Sequence, residues 1–123
     1  MNKHFFQIKR KVLLCDILNY LNVSNHIFFN INSNFDKNIL KYQIDDFVSF
    51  SSLKANSVSF FENKKNNSTS VNSGVCIIKE TNSKLINDNI IKIPYQNPKL
   101  GFSKLLEIYF TKNNTKLNNQ IHP

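Results

Sequence analysis

The chain has 123 residues, a net charge of +8 and two cysteines, a length that suits one domain burying roughly two-thirds of its unfolded surface. Fifteen of its 16 basic residues are Lys and one, Arg10, is Arg; base readout and bidentate phosphate clamping favour Arg, so the charge argues against a sequence-reading nucleic-acid binder. The 21 Asn residues and the abundance of Ile and Phe give the Lys excess a bland origin in adenine- and thymine-rich codons.

In chain order, Val12, Leu13, Leu14, Ile17, Leu18 and Leu21 recur at three- and four-residue spacing and predict a helix with one apolar face, packed on a sheet. Ile27–Ile31, Leu40–Ile44 and Phe47–Phe50 are short, aromatic or β-branched, and separated by Asn and Asp, which predicts strands with turns between them. Val58–Phe61, the continuous apolar run Val75–Ile78 and Ile90–Ile93 predict three more strands, the second buried on both faces. Asn97-Pro98 predicts a helix start, with Asn97 as cap and Pro98 at the first helical position. Residues 63–73 read as a polar loop and 111–120 as a polar linker leading into Ile121-His122-Pro123. The expected fold class is therefore α/β, a small mixed sheet flanked by helices.

Few residues suit catalysis. The three histidines, His4, His26 and His122, have no partner in sequence, and Asp45-Asp46 on a strand would point to opposite faces, which suits a solvated turn better than a joint acid and base. Cys15 and Cys76 sit in apolar segments without metal-ligand spacing and read as reduced core residues; the apolar neighbours of Cys76 predict an inert thiol. The two glycines, Gly74 and Gly101, form no phosphate-binding loop. No metal and no cofactor is expected. No run approaches the roughly 18 apolar residues that cross a bilayer, and the N-terminus lacks a leader pattern, so no transmembrane segment is expected and the expected compartment is the cytoplasm. One local arrangement stands out: Phe60 at a strand end with Asn63 three residues on. A ring can stack on a flat base while an amide meets the base edge, although a strand neighbour pair such as Phe60-Phe61 must also bury one of its rings.

Several of these motifs occur together in a known order. Leu14-Cys15-Asp16-Ile17-Leu18, Ser52-Leu53-Lys54-Ala55, Val58-Ser59-Phe60-Phe61-Glu62-Asn63-Lys64-Lys65, Ser73-Gly74-Val75-Cys76-Ile77-Ile78 and Asn97-Pro98-Lys99-Leu100-Gly101-Phe102-Ser103-Lys104 resemble the N-terminal domain of UDP-3-O-acylglucosamine N-acyltransferases of lipid A biosynthesis. The resemblance implies a UDP-sugar-binding domain over residues 1–110. Residues 111–123 would then be a linker with the first residues of a left-handed β-helix, Ile121-His122-Pro123. It implies that Phe60 is one wall of a uracil sandwich and that Asn63 contacts the base; charge alone makes Lys64 and Lys65 candidate diphosphate contacts.

Two positions depart from the family pattern. Asn66 stands where the family has the Tyr of the second wall, and Lys64 stands in place of its Pro, which predicts uridine binding weakened by about 1–3 kcal/mol. The family's catalytic His lies in the β-helix beyond residue 123, together with the homotrimer contacts and the acyl-carrier-protein surface. The chain alone is thus expected to bind a UDP-sugar lipid precursor weakly and not to catalyse acyl transfer. Two alternatives remain: the N-terminal domain of a Mur-type ligase, which also engages a UDP-sugar, and a small basic nucleic-acid-binding protein whose affinity would fall steeply with salt.

Overall fold

The structure, a computed structural model, describes residues 12–62 and 71–121, the last twelve of these as backbone only. Among the described residues, six strands and three α-helices follow in the order β1 (Val12–Leu13), α1 (Leu14–Tyr20), α2 (Asn25–Ile31), β2 (Gln43–Ile44), β3 (Asp46–Phe47), β4 (Ser57–Phe61), β5 (Val75–Ile78), β6 (Ile91–Pro94) and α3 (Pro98–Ile121). The α/β class is as the sequence predicts, but the strands form two sheets and not one mixed sheet. β1 and β2 make an antiparallel pair, and β3-β4-β5-β6 make a sheet whose neighbours all run parallel.

The parallel sheet is covered on both faces, as parallel sheets are. Val58, Val75, Ile77, Ile91 and Ile93 face one way, into a core completed by Leu14, Ile17 and Leu18 of α1, Phe28 of α2 and Leu105 of α3. Phe61, Cys76 and Ile78 face the other way and meet Leu53, Val71, Ile86 and Ile90. Those four residues belong to the segments that connect the parallel strands, so the connections themselves shield the second face. The alternation of burying side chains along β4 and β5 is the period of two expected of strands.

One polar atom in this packing is unsatisfied. Ser59 is fully buried, and its Oγ has no hydrogen-bond partner. A buried hydroxyl without a partner costs about 1–3 kcal/mol of desolvation, so Ser59→Ala is expected to leave stability unchanged or raise it by up to about 1 kcal/mol. Urea unfolding of the variant checks this, and a loss of more than that amount would show that the hydroxyl is satisfied in solution.

Three sequence expectations are corrected. Residues 27–31 lie in α2, not in a strand: Ser24 caps the helix, its Oγ accepting from the Ile27 N–H at 3.2 Å, and Phe28 is its fully buried anchor. A Ser cap outweighs a β-branched composition when tertiary packing rewards the helix. Residues 37–41 form a 3-10 turn capped by Asp36, leaving only Gln43–Ile44 extended, and Phe50 opens another 3-10 turn after the two-residue β3.

The N-terminal helix is present but shorter than expected, because Val12 and Leu13 are spent on the antiparallel pair. It starts where the Leu13 N–H meets the Asp16 carboxylate at 3.0 Å, and past its last residue, Tyr20, the chain turns away at Asn22, in the left-handed region at φ 61°, a conformation Asn tolerates well. At the other end of the chain, α3 continues as backbone helix through residues 111–120, where composition predicts a linker. No Gly or Pro after Gly101 interrupts it before Ile121, and Lys, Leu and Gln are adequate helix formers. Ile121 ends α3, and the remaining two residues of the expected β-helix opening lie outside the described residues.

Candidate functional site

Because β4, β5 and β6 run parallel, their carboxyl ends lie at one edge of the sheet, the edge at which open α/β sheets bind ligands. Each strand delivers polar residues there. Glu62 follows β4, Lys79 follows β5 and leads into a 3-10 turn carrying Thr81 and Asn82, and Tyr95-Gln96 follow β6. Helix α3 begins beside them. Asn97 caps it as expected, its Oδ1 accepting from the Leu100 N–H at 3.2 Å while its carbonyl accepts from Gly101 at 2.9 Å, and Pro98 takes the first helical position.

These elements enclose two adjoining hollows. One, of about 480 Å³, is lined by Glu62, Lys79, Thr81, Asn82, Gln96 and the start of α3. The other, of about 420 Å³, shares Lys79, Thr81 and Gln96 with the first and adds Ile27, Glu80, Pro94 and Tyr95. The cleft thus has a polar half and a mixed shoulder, where Ile27, Pro94 and Tyr95 stand beside Glu80. Sequence reasoning passed over this group because its residues come from three separate strand ends, and only the parallel pairing of those strands brings them together.

The predicted uridine contacts fare differently from one another. Phe60 is half-buried on the helix-facing side of β4, 5.1 Å centroid to centroid from Phe102 of α3, and Phe102 in turn lies 5.8 Å from Phe47. Its neighbour Phe61 is the buried one, packed at 5.1 Å against Phe50 on the other face. Phe60 therefore keeps an exposed part but lines neither hollow. Asn63, Lys64 and Lys65 lie outside the described residues.

Among the described residues nothing assembles a catalytic centre. His26 is exposed on α2, and no group of three His, Cys, Asp or Glu side chains is placed to hold a metal ion. Asp45 and Asp46 look to different partners: the Asp45 carboxylate accepts from Gln43 Nε2 at 3.2 Å, whereas Asp46 pairs with Lys54 at 3.6 Å. The latter is a solvent-exposed pair of small energetic weight. Cys76 is fully buried, and burial pushes its thiol far above the usual range, the more so for being only partly opposed by the Lys92 charge. A thiol held in that state is inert, as its apolar neighbours predict. Cys15 is also free and half-buried. No helix of the described residues is long and apolar enough to cross a membrane.

Lys92 is an unusual charge, buried on β6 in register with Cys76. Its Nζ donates to the carbonyls of Asn87 and Ile90, both at 3.0 Å. Burial lowers its pKa, against the opposing pull of Asp88 and Cys76. It caps two carbonyls of the β5–β6 connection and does not reach the cleft, so its role is structural.

No protein-family model matches this chain, and neither a curated protein nor a solved structure does.

Proposed function

We propose that this chain is a UDP-sugar-binding module, akin to the N-terminal domain of the acyl-carrier-protein-dependent N-acyltransferases that place a hydroxyacyl chain on UDP-3-O-(3-hydroxyacyl)glucosamine. The observation that carries the reading is the course of β4. This strand holds Phe60 half-exposed near the carboxyl edge of a parallel sheet and runs through Glu62 directly into Asn63-Lys64-Lys65. The ring stands near the edge where such sheets bind ligands, and the amide and positive charge that uracil and diphosphate call for follow it in the sequence, outside the described residues. The order of the other motifs along the chain supports the same family. On this reading the described residues serve binding; in that family the general base, the trimer contacts and the acyl-carrier-protein surface belong to a β-helical domain.

The test is an NMR titration of the isotope-labelled chain with uridine monophosphate, with adenosine monophosphate as control. Shifts at Phe60 and Asn63 with the uridine ligand alone are expected. Phe60→Leu keeps the apolar contact with Phe102 but removes the stacking face, and it is expected to weaken binding about tenfold or more. Equal responses to both nucleotides, or an unchanged affinity in Phe60→Leu, would overturn the proposal.

A further inference from the structure

Three charged side chains are divided between the two hollows beyond β4, β5 and β6. Glu62 lines the larger, Glu80 lines the smaller, and Lys79 lines both. Among the described residues none of the three makes an ion pair or a side-chain hydrogen bond within the protein. All three are exposed, so they are hydrated in the free protein and leave their contacts to a ligand's own charges. The order negative, positive, negative is poorly matched to a phosphate, which calls for converging cations. Its complement is an ammonium, a carboxylate and a second ammonium carried by one molecule.

The smaller hollow sets what joins the two ends. Ile27, Pro94 and Tyr95 give it an apolar wall beside Glu80. The Tyr95 ring is held in place: a Cβ on Gly101 would lie 2.8 Å from its Cδ2, so the ring rests directly on the glycine backbone of α3. The ring already accommodates one ammonium of the protein. Lys104 Nζ stands 5.9 Å from its centroid and 3.2 Å from its hydroxyl, although Lys104 lines neither hollow. An alkyl stem that ends in an ammonium packs along such a wall with its head at Glu80, as lysine side chains cover apolar surface while their charge stays in water. Thr81, Asn82 and Gln96 supply further donors and acceptors at the other end.

We infer that this cleft binds a free dibasic α-amino acid of the lysine type, with Glu62 at the α-ammonium, Lys79 at the α-carboxylate and Glu80 at the side-chain ammonium, whose stem lies over Tyr95. The inference goes beyond the uridine reading: it uses none of that reading's residues, and its ligand contains neither a nucleotide nor a sugar.

The test titrates the isotope-labelled full chain with L-lysine at constant ionic strength. L-Norleucine, which lacks the second ammonium, and cadaverine, which lacks the carboxylate, are the comparison arms. L-Lysine is expected to bind in the millimolar range and to shift the amides of Thr81, Asn82, Tyr95 and Gln96; each comparison ligand is expected to bind at least about threefold more weakly. Lys79 and Glu80 are exposed, so Lys79→Met and Glu80→Gln are expected to keep the fold. Lys79→Met is expected to weaken L-lysine about fivefold and cadaverine not at all, and Glu80→Gln to weaken L-lysine about fivefold and L-norleucine not at all. An unresponsive cleft at tens of millimolar L-lysine would overturn the inference, as would L-lysine affinity indifferent to either variant, or equal affinity for L-lysine and cadaverine. A separate uridine monophosphate arm reads Phe60 and Asn63, so failure there with a Tyr95 responsive to L-lysine would sink the uridine reading and leave this one standing.

Discussion

Replacing Gly74 by Ala is expected to lower the unfolding free energy by about 2–4 kcal/mol, measured as a fall in the urea midpoint at unchanged slope. Two causes add. Gly74 sits at φ 101°, where a residue with a Cβ is strained whatever space surrounds it. The space is also filled: a Cβ would stand 2.5 Å from the Lys54 carbonyl oxygen and 2.8 Å from Cγ and Cδ1 of Leu53. The first of these atoms is backbone and cannot swing aside. Relief requires the connection between β3 and β4 to move away from the start of β5, which would pull Leu53 out of the second core. The Gly74 carbonyl also accepts from the Ile91 N–H at 2.9 Å, so displacement there loosens the β5–β6 ladder as well. A loss of under about 0.5 kcal/mol, the range of ordinary surface changes, would mean that the close approach is absent in solution.

That close approach illustrates what sequence reading reached and what it missed. Val75–Ile78 was legible as doubly buried because no polar residue alternates in it, but nothing in the sequence showed that Gly74 before it meets the Lys54 carbonyl. The start of α3 was legible for a local reason too, since Asn97 and Pro98 act within four residues of each other. What failed depended on distant partners. Ile27–Ile31 has the composition of a strand, and it is helical because Phe28 fills the core and α2 lies along β6. Ser24 was the local signal that could have revealed it. Leu100 has the hydrophobicity of a core position on α3 yet points outward at 47% exposure, while Gly101 beside it is buried against Tyr95. The cleft was invisible for the same reason: Glu62, Lys79 and Gln96 are 34 residues apart from first to last, and only the strand register makes them neighbours. Phe60 lay between these cases. The period of two requires one of Phe60 and Phe61 to be buried, but which one was decided by the pairing of β4 with β5.

Asn32→Ala is expected to cost about 2–4 kcal/mol, because the Asn32 side chain closes the open edge of the parallel sheet. β6 is the last strand in the order, and its inner side is bonded to β5 through Ile91 and Tyr95. The N–H and carbonyl of Lys92 therefore point outward, where an edge strand would otherwise offer them to another chain. Asn32, fully buried at the end of α2, answers both: its Oδ1 accepts from the Lys92 N–H at 2.9 Å, and its Nδ2 donates to the Lys92 carbonyl at 2.7 Å. The same Nδ2 donates to the Phe28 carbonyl at 2.7 Å, which ties the last turn of α2 to the strand. Ala would leave a buried donor and acceptor of the strand unpaired, each worth about 1–3 kcal/mol. Asp could still accept from Lys92 but could donate to neither carbonyl, and it would place a charge beside two oxygens; Asn32→Asp is thus expected to be at least as destabilising at neutral pH. Hydrogen exchange at the Lys92 amide separates this account from a general loss of packing. The amide is expected to exchange faster in Asn32→Ala by more than the fall in global stability predicts, and retained protection there would show that the strand edge has another partner. The residue is an amide for a reason that neither volume nor hydropathy supplies: it imitates one residue of a fifth parallel strand, and the sheet stops there.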